Sequence, residues 1–131
     1  LHDALPISYF LETGGFDASF PVAGGEDTVL ARCILDSGGA IWYEKAQRVF
    51  HVEKPDLASF LRWQLTRGRG NFHIRRRVPS VRGYLRLRVW TFRNSLASAG
   101  LVRAPAVVAL IVLSVVMQTI GYWQERRRWA E

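Results

Sequence analysis

Two glycine pairs along this 131-residue chain each deliver carboxylates. The first is Gly14-Gly15-Phe16-Asp17. The second is Gly24-Gly25-Glu26-Asp27, and His51 follows further on. A carboxylate at a helix start is suited to take a proton from an attacking hydroxyl. Glycines just before it leave the backbone bare, so a ligand can approach closely. Each feature also has an ordinary structural reading. A Glu-Asp pair caps a helix and complements its dipole, and Gly-Gly-Phe-Asp makes a turn over a buried Phe16. His51, ending an apolar stretch, suits a metal ligand or a satisfied core histidine. Gln64 and Arg67 stand one helical turn apart. Arg67 fits a diphosphate or simply closes a basic helix. Spacing alone leaves these alternatives open.

The elements that must position these residues can be read from periodicity. A helix is expected over 26–37, with Val29, Leu30, Cys33 and Ile34 on one stripe and Gly38-Gly39 ending it. Short strands are expected over 40–43 and 48–52, around a Lys45-Ala46 turn. Pro55 and Asp56 begin a second helix, striped by Leu57, Phe60, Leu61, Gln64 and Leu65, and Gly68 and Gly70 are expected to break it. Residues 9–78 thus read as an α/β piece. Residues 1–8 are set aside, because Ala4 to Ser8 resembles the translated end of a sequencing adapter.

Charge divides the chain. Residues 1–66 carry five basic and nine acidic side chains, and residues 67–131 carry thirteen basic and two acidic, for +7 over the whole chain. Sixteen of the eighteen basic residues are Arg, which favours phosphate-bearing partners. The single Cys33 excludes an internal disulfide and reads as small apolar filler on its helix. Ala104 to Gln124 is a run of twenty-one residues without charge, long enough to span a bilayer as a helix. Pro105 stands at its start and Tyr122 and Trp123 at its far end, where interfacial aromatics belong. Residues 79–103 mix arginines with Tyr84, Leu85, Leu87, Val89, Trp90 and Phe92, and suit an amphipathic helix lying in the headgroup layer. Residues 125–131 form a basic tail. The arginines before the span outnumber those after it, which favours a cytoplasmic N-terminal side, although both flanks are basic.

The ordered motifs together carry a resemblance. Gly-Gly-Phe-Asp, Phe20-Pro21, Gly-Gly-Glu-Asp, Leu30-Ala31-Arg32, Gly38-Gly39 and the Tyr43–Ala46–Val49–His51 run resemble the C-terminal half of the catalytic domain of family-two glycosyltransferases, over roughly residues 9–75. The resemblance implies a partial Rossmann-like fold, followed here by an amphipathic helix and one transmembrane helix. It implies an inverting, hexosyltransferase-like enzyme that moves a sugar from a nucleotide-diphosphate donor to a glycan or lipid-linked acceptor at a membrane. Asp27 would be the general base, and Glu26 would orient it or bind the acceptor. Gly14, Gly15 and Asp17 would lie in an acceptor-side loop. Gln64 and Arg67 match the start of a Gln-x-x-Arg-Trp motif that binds donor phosphate. His51 matches a histidine that joins a divalent metal, Mg or Mn.

The chain departs from the family at two points. Gly68 stands where the Trp would be, which weakens the likeness to processive polymerases, and there is no Asp-x-Asp for nucleotide and metal. The chain is therefore expected to be a fragment, inactive alone. A different reading is a non-catalytic membrane adaptor that holds anionic lipid or a protein partner through its basic segment. Nucleic-acid binding by the arginine-rich half is set aside because of the adjacent apolar span.

Overall fold

The computed structural model describes residues 7–21, 24–42, 44, 46, 48, 50, 52, 54–78 and 82–130. Four helices follow in order: α1 (Ile7–Glu12), α2 (Glu26–Asp36), α3 (Leu57–Arg77) and α4 (Arg82–Arg128). Among the described residues there is no strand, and the fold they form is all-α. This corrects the expected Rossmann-like α/β piece. A strand is stable only where a neighbour takes up its backbone N–H and C=O groups, and the described residues offer none. Trp42, Phe50 and Val52 are 90%, 93% and 94% exposed. Tyr43, Lys45, Val49 and His51 lie outside the described residues.

α2 forms as its sequence directs. Its first turn holds Glu26 and Asp27, and Gly25 precedes it with a φ of 110°, a conformation open to glycine at little cost. Val29, Leu30 and Ile34 are buried, whereas Cys33 is exposed and does not fill the core. The Gly39 N–H bonds to the Ile34 carbonyl at 2.9 Å beyond the helix end. α3 is capped by Asp56, whose carboxylate accepts the Ser59 N–H at 2.6 Å. That bond leads the causes holding the Asp56 carboxyl below its usual range.

α3 runs unbroken through Gly68 and Gly70, contrary to the expected break. Both glycines are buried contact points. A Cβ on Gly68 would strike the carbonyl oxygen of Gln118, and one on Gly70 the carbonyl oxygen of Gly24. From the other side, a Cβ on Gly121 would strike the Leu65 carbonyl. Close backbone approach outweighs the weak helix propensity of glycine here.

α4 is interrupted at Gly100, with φ 69° and ψ 168°. Thirty residues of continuous helix would separate Arg88 from Gln118 by about 45 Å. Instead the Arg88 guanidinium donates to the Gln118 Oε1 at 2.6 Å. The chain reverses at Gly100, so α4 is a hairpin of two arms with Leu101 and Val102 bare near its tip. Residues 82–99, expected as a separate headgroup-layer segment, form the first arm. The second arm contains the uncharged run, and α4 is long and apolar enough to cross a membrane. Val108, Val112, Val115, Val116 and Ile120 remain exposed along it, a face suited to lipid.

Candidate functional site

One stripe of α3 gathers the motifs singled out in the sequence. Arg67, Gly70, Ile74 and Arg77 recur at i, i+3, i+7 and i+10, which places them on one helix face. The Gly24-Gly25 turn sits on that face. A Cβ on Gly24 would lie 4.0 Å from the Arg67 Cα, and one on Gly25 would lie 2.6 Å from the Ile74 Cγ1. Two segments forty residues apart in sequence, Gly-Gly-Glu-Asp and Gln-x-x-Arg, are thus brought against each other. The first glycine loop reaches the same stripe. The Arg77 Nε donates to the Asp17 Oδ2 at 2.7 Å, and its Nη2 donates to the Ser19 Oγ at 2.7 Å. The Arg77 guanidinium also lies over the Phe20 ring at 4.7 Å.

The expected site residues end in different situations. Asp27 is exposed, and its Oδ1 accepts the N–H of Thr28 at 2.7 Å. Glu26 is half-buried and accepts the Gly24 N–H at 2.7 Å, so it braces the turn. Arg67 is exposed and stacks on Trp63 at 4.8 Å. Gln64 points elsewhere: it is buried, and its Oε1 accepts the Gln118 Nε2 at 2.7 Å, between α3 and α4. Gly14 and Gly15 form the turn after α1, with Phe16 half-exposed and edge-on to Phe10 at 5.3 Å. His51 lies outside the described residues. Among the described residues, no three His, Cys, Asp or Glu side chains cluster to hold a metal. They do not supply the ligand set that the resemblance implies.

The Asp17 carboxyl is held below its usual range, first by the Ser19 hydroxyl and N–H, then by Arg77. A depressed folded-state pKa contributes stability above the unfolded value of about 3.8 and loses it as pH falls through the lowered one. Thermal unfolding followed downward from pH 5 should therefore show an acid loss that is shallower in Asp17→Asn. An unchanged acid limb would mean that the Ser19 and Arg77 contacts to this carboxylate contribute nothing.

No protein-family model, curated protein or solved structure matches the chain.

The most enclosed polar groups escaped the sequence reading. His73 is fully buried, and its Nε2 meets the Glu125 Oε1 at 3.0 Å. The rings of Phe20, Phe72 and Trp129 surround it at 5.6, 5.2 and 5.6 Å. Two turns earlier on α4, Gln118 joins Gln64, Ser114, Asn71 and Arg88 in one hydrogen-bonded network. Ser114 and Gln118, polar and four apart in an apolar run, were the available signal. Because burial leaves no water to replace a lost partner, Glu125→Ala is expected to destabilise the fold by about 2–4 kcal/mol. Chemical unfolding in detergent measures it, and a change below about 0.5 kcal/mol, the scale of an ordinary surface substitution, would contradict a structural role for the pair.

Proposed function

We propose that this chain supplies the acceptor side of a membrane-bound inverting glycosyltransferase. The observation that supports it is the seating of the Gly24-Gly25 turn on α3 beside Arg67. This leaves an exposed carboxylate at the start of the helix that follows the turn, and an exposed guanidinium on the helix that seats it. In the proposed reaction the acceptor hydroxyl gives its proton to the Asp27 carboxylate as its oxygen bonds to the anomeric carbon. The bond from that carbon to the diphosphate breaks on the opposite face, and the nucleoside diphosphate leaves with the electron pair. Arg67 is placed to hold the developing phosphate charge. Glu26 fixes the turn that aims Asp27.

The nucleotide sugar needs further residues, because this sequence contains no Asp-x-Asp. Those residues belong to another segment or chain, and the 131 residues alone are inactive in this reading. The second arm of α4 anchors the site at a membrane whose cytoplasmic face carries the catalytic part, and the flanking arginines favour anionic headgroups. The adaptor reading accounts for the arginines and the apolar arm but gives no role to an exposed Asp27 after the turn seated at Arg67. The experiment that separates them is Asp27→Asn in the assembled enzyme, read as release of nucleoside diphosphate.

A further inference from the structure

The second arm of α4 is two-faced along its length. Ser114, Gln118, Gly121 and Glu125 recur at i, i+4, i+7 and i+11, which is one helix face. That face meets α3. Gln118 bonds to Gln64, Gly121 approaches the Leu65 backbone, and Glu125 pairs with the buried His73. Val112, Val116, Ile120 and Trp123 recur at i, i+4, i+8 and i+11 and stand about 180° around the helix from it. These four remain close to half exposed. The lipid-suited stripe is therefore directly opposite α3, a helix that carries six arginines.

This packing opposes a bilayer crossing. If the arm crossed with α3 in place, the α3 arginines would enter hydrocarbon, each at a cost. If it crossed without α3, Gln118 and Glu125 would lose their buried partners there. The uncharged stretch ahead of Gln118, Ala104 to Met117, is only about 21 Å long, against a hydrocarbon core of about 30 Å. A hairpin driven in by its tip would carry Arg103 about 22 Å beyond Gln118. Lying flat avoids all of these costs and leaves Arg103 within a side chain's reach of the headgroups. Trp123 ends the stripe with the Arg126 guanidinium 4.7 Å over its ring, a pairing suited to the headgroup level. The geometry points to a monotopic anchor: the second arm lies flat in one leaflet of an anionic membrane, with the Val112–Trp123 stripe among the acyl chains and α3 on the aqueous side. Because the chain reverses at Gly100, α2, α3 and both ends of α4 then stay on one side of the membrane. A second copy on the stripe would set like charge against like, since residues 67–131 carry thirteen basic and two acidic side chains. Anionic headgroups neutralise that excess. The anchor does not depend on the sugar-transfer reading.

The test reads the side of two thiols and the depth of the stripe. Cys33 is exposed on α2, and Ala130→Cys in a Cys33→Ser chain reports the tail. The full chain is made in bacterial cells, and a membrane-impermeant maleimide is added to spheroplasts before and after permeabilisation. The two thiols are expected to behave alike, both protected before and both labelled after. Depth is read on the purified chain bound to vesicles of phosphatidylcholine and phosphatidylglycerol. A fluorophore on Val112→Cys, Val116→Cys or Ile120→Cys, each in the Cys33→Ser chain, is quenched by bromines set shallow or deep in the acyl chains. The three positions are expected at one depth. Val116→Glu, on the side away from α3, should weaken vesicle binding at least about tenfold, the worth of burying one valine side chain.

Labelling of one thiol alone before permeabilisation would put the tail across the membrane and overturn the proposal. So would a depth that changes steadily from Val112 to Ile120, which lie about 12 Å apart along the helix axis. Absent quenching together with a disulfide between copies at Val116→Cys would give the stripe to a second copy, and unchanged binding by Val116→Glu would remove lipid from it. Asp27→Asn should keep the same sidedness and depth. If that variant still transfers sugar, the transfer reading falls and the monotopic anchor stands. If the tail proves to be across the membrane while transfer remains sensitive to Asp27, the anchor falls alone.

Discussion

Alanine at Gly68 is expected to destabilise the fold by about 1–3 kcal/mol, the cost of overpacking a tight contact. Helix propensity alone predicts the reverse: replacing a mid-helix glycine by alanine should stabilise by about 1 kcal/mol. The sign therefore decides whether α3 packs backbone-to-backbone against α4. A Cβ at this position meets the Gln118 carbonyl, Cα and carbonyl carbon, which are backbone atoms of a neighbouring helix and cannot rotate aside. Relief would require the helices to part, and parting them exposes the Gln64–Gln118–Ser114 bonds and the His73–Glu125 pair. Gly121→Ala meets the Leu65 carbonyl across the same seam and should act alike, with less than additive loss in the double variant because one separation relieves both clashes. Chemical unfolding in detergent gives the sign directly. Stabilisation by either alanine would mean that the seam is absent.

The helices were legible where local rules decide them. The α2 start followed from two glycines and two acids, its end from Gly38-Gly39, and the α3 start from Asp56. Gly68 and Gly70 were misread because a glycine in a helical pattern signals a break when neighbours are unknown, and a close contact when a second backbone crosses there. That contact is tertiary information. The strands failed for a related reason. Alternating apolar residues such as Ile41 are compatible with a strand, but a strand needs a partner, and the described residues provide none. The reversal at Gly100 was hidden because nothing in the run from Arg82 to Arg103 announces which side of the apolar segment it will join.

The site was legible in part. Asp27 and Arg67 were singled out by type and spacing, and the fold leaves both exposed near one seam. Gln64 was grouped with Arg67 because the two are one turn apart. Three residues along a helix is still about 60° away from eclipsed, enough for Gln64 to face α4 while Arg67 faces the Gly24 turn. His73 and Glu125 carry no motif. Their pairing depends on α3 and the second arm of α4 running side by side, which neither segment encodes alone.

The largest functional effect is expected at Asp27. Removing a general base costs about two to four orders of magnitude in rate, and Asp27→Asn keeps the shape of the side chain while taking away its basicity. Among the described residues the carboxylate accepts only from its neighbour Thr28, so the substitution should leave α2 and its seat on α3 intact. Donor binding should be preserved, because the residues that would hold the nucleotide lie elsewhere. Glu26→Gln should act more mildly, through the turn it braces. The decisive measurement is single-turnover sugar transfer by the assembled enzyme with Asp27→Asn, beside nucleotide-sugar binding by the same variant. A loss of at least about a hundredfold in the transfer step with donor affinity retained is the predicted result. Unchanged turnover, or loss of donor binding in step with activity, would contradict Asp27 as the base.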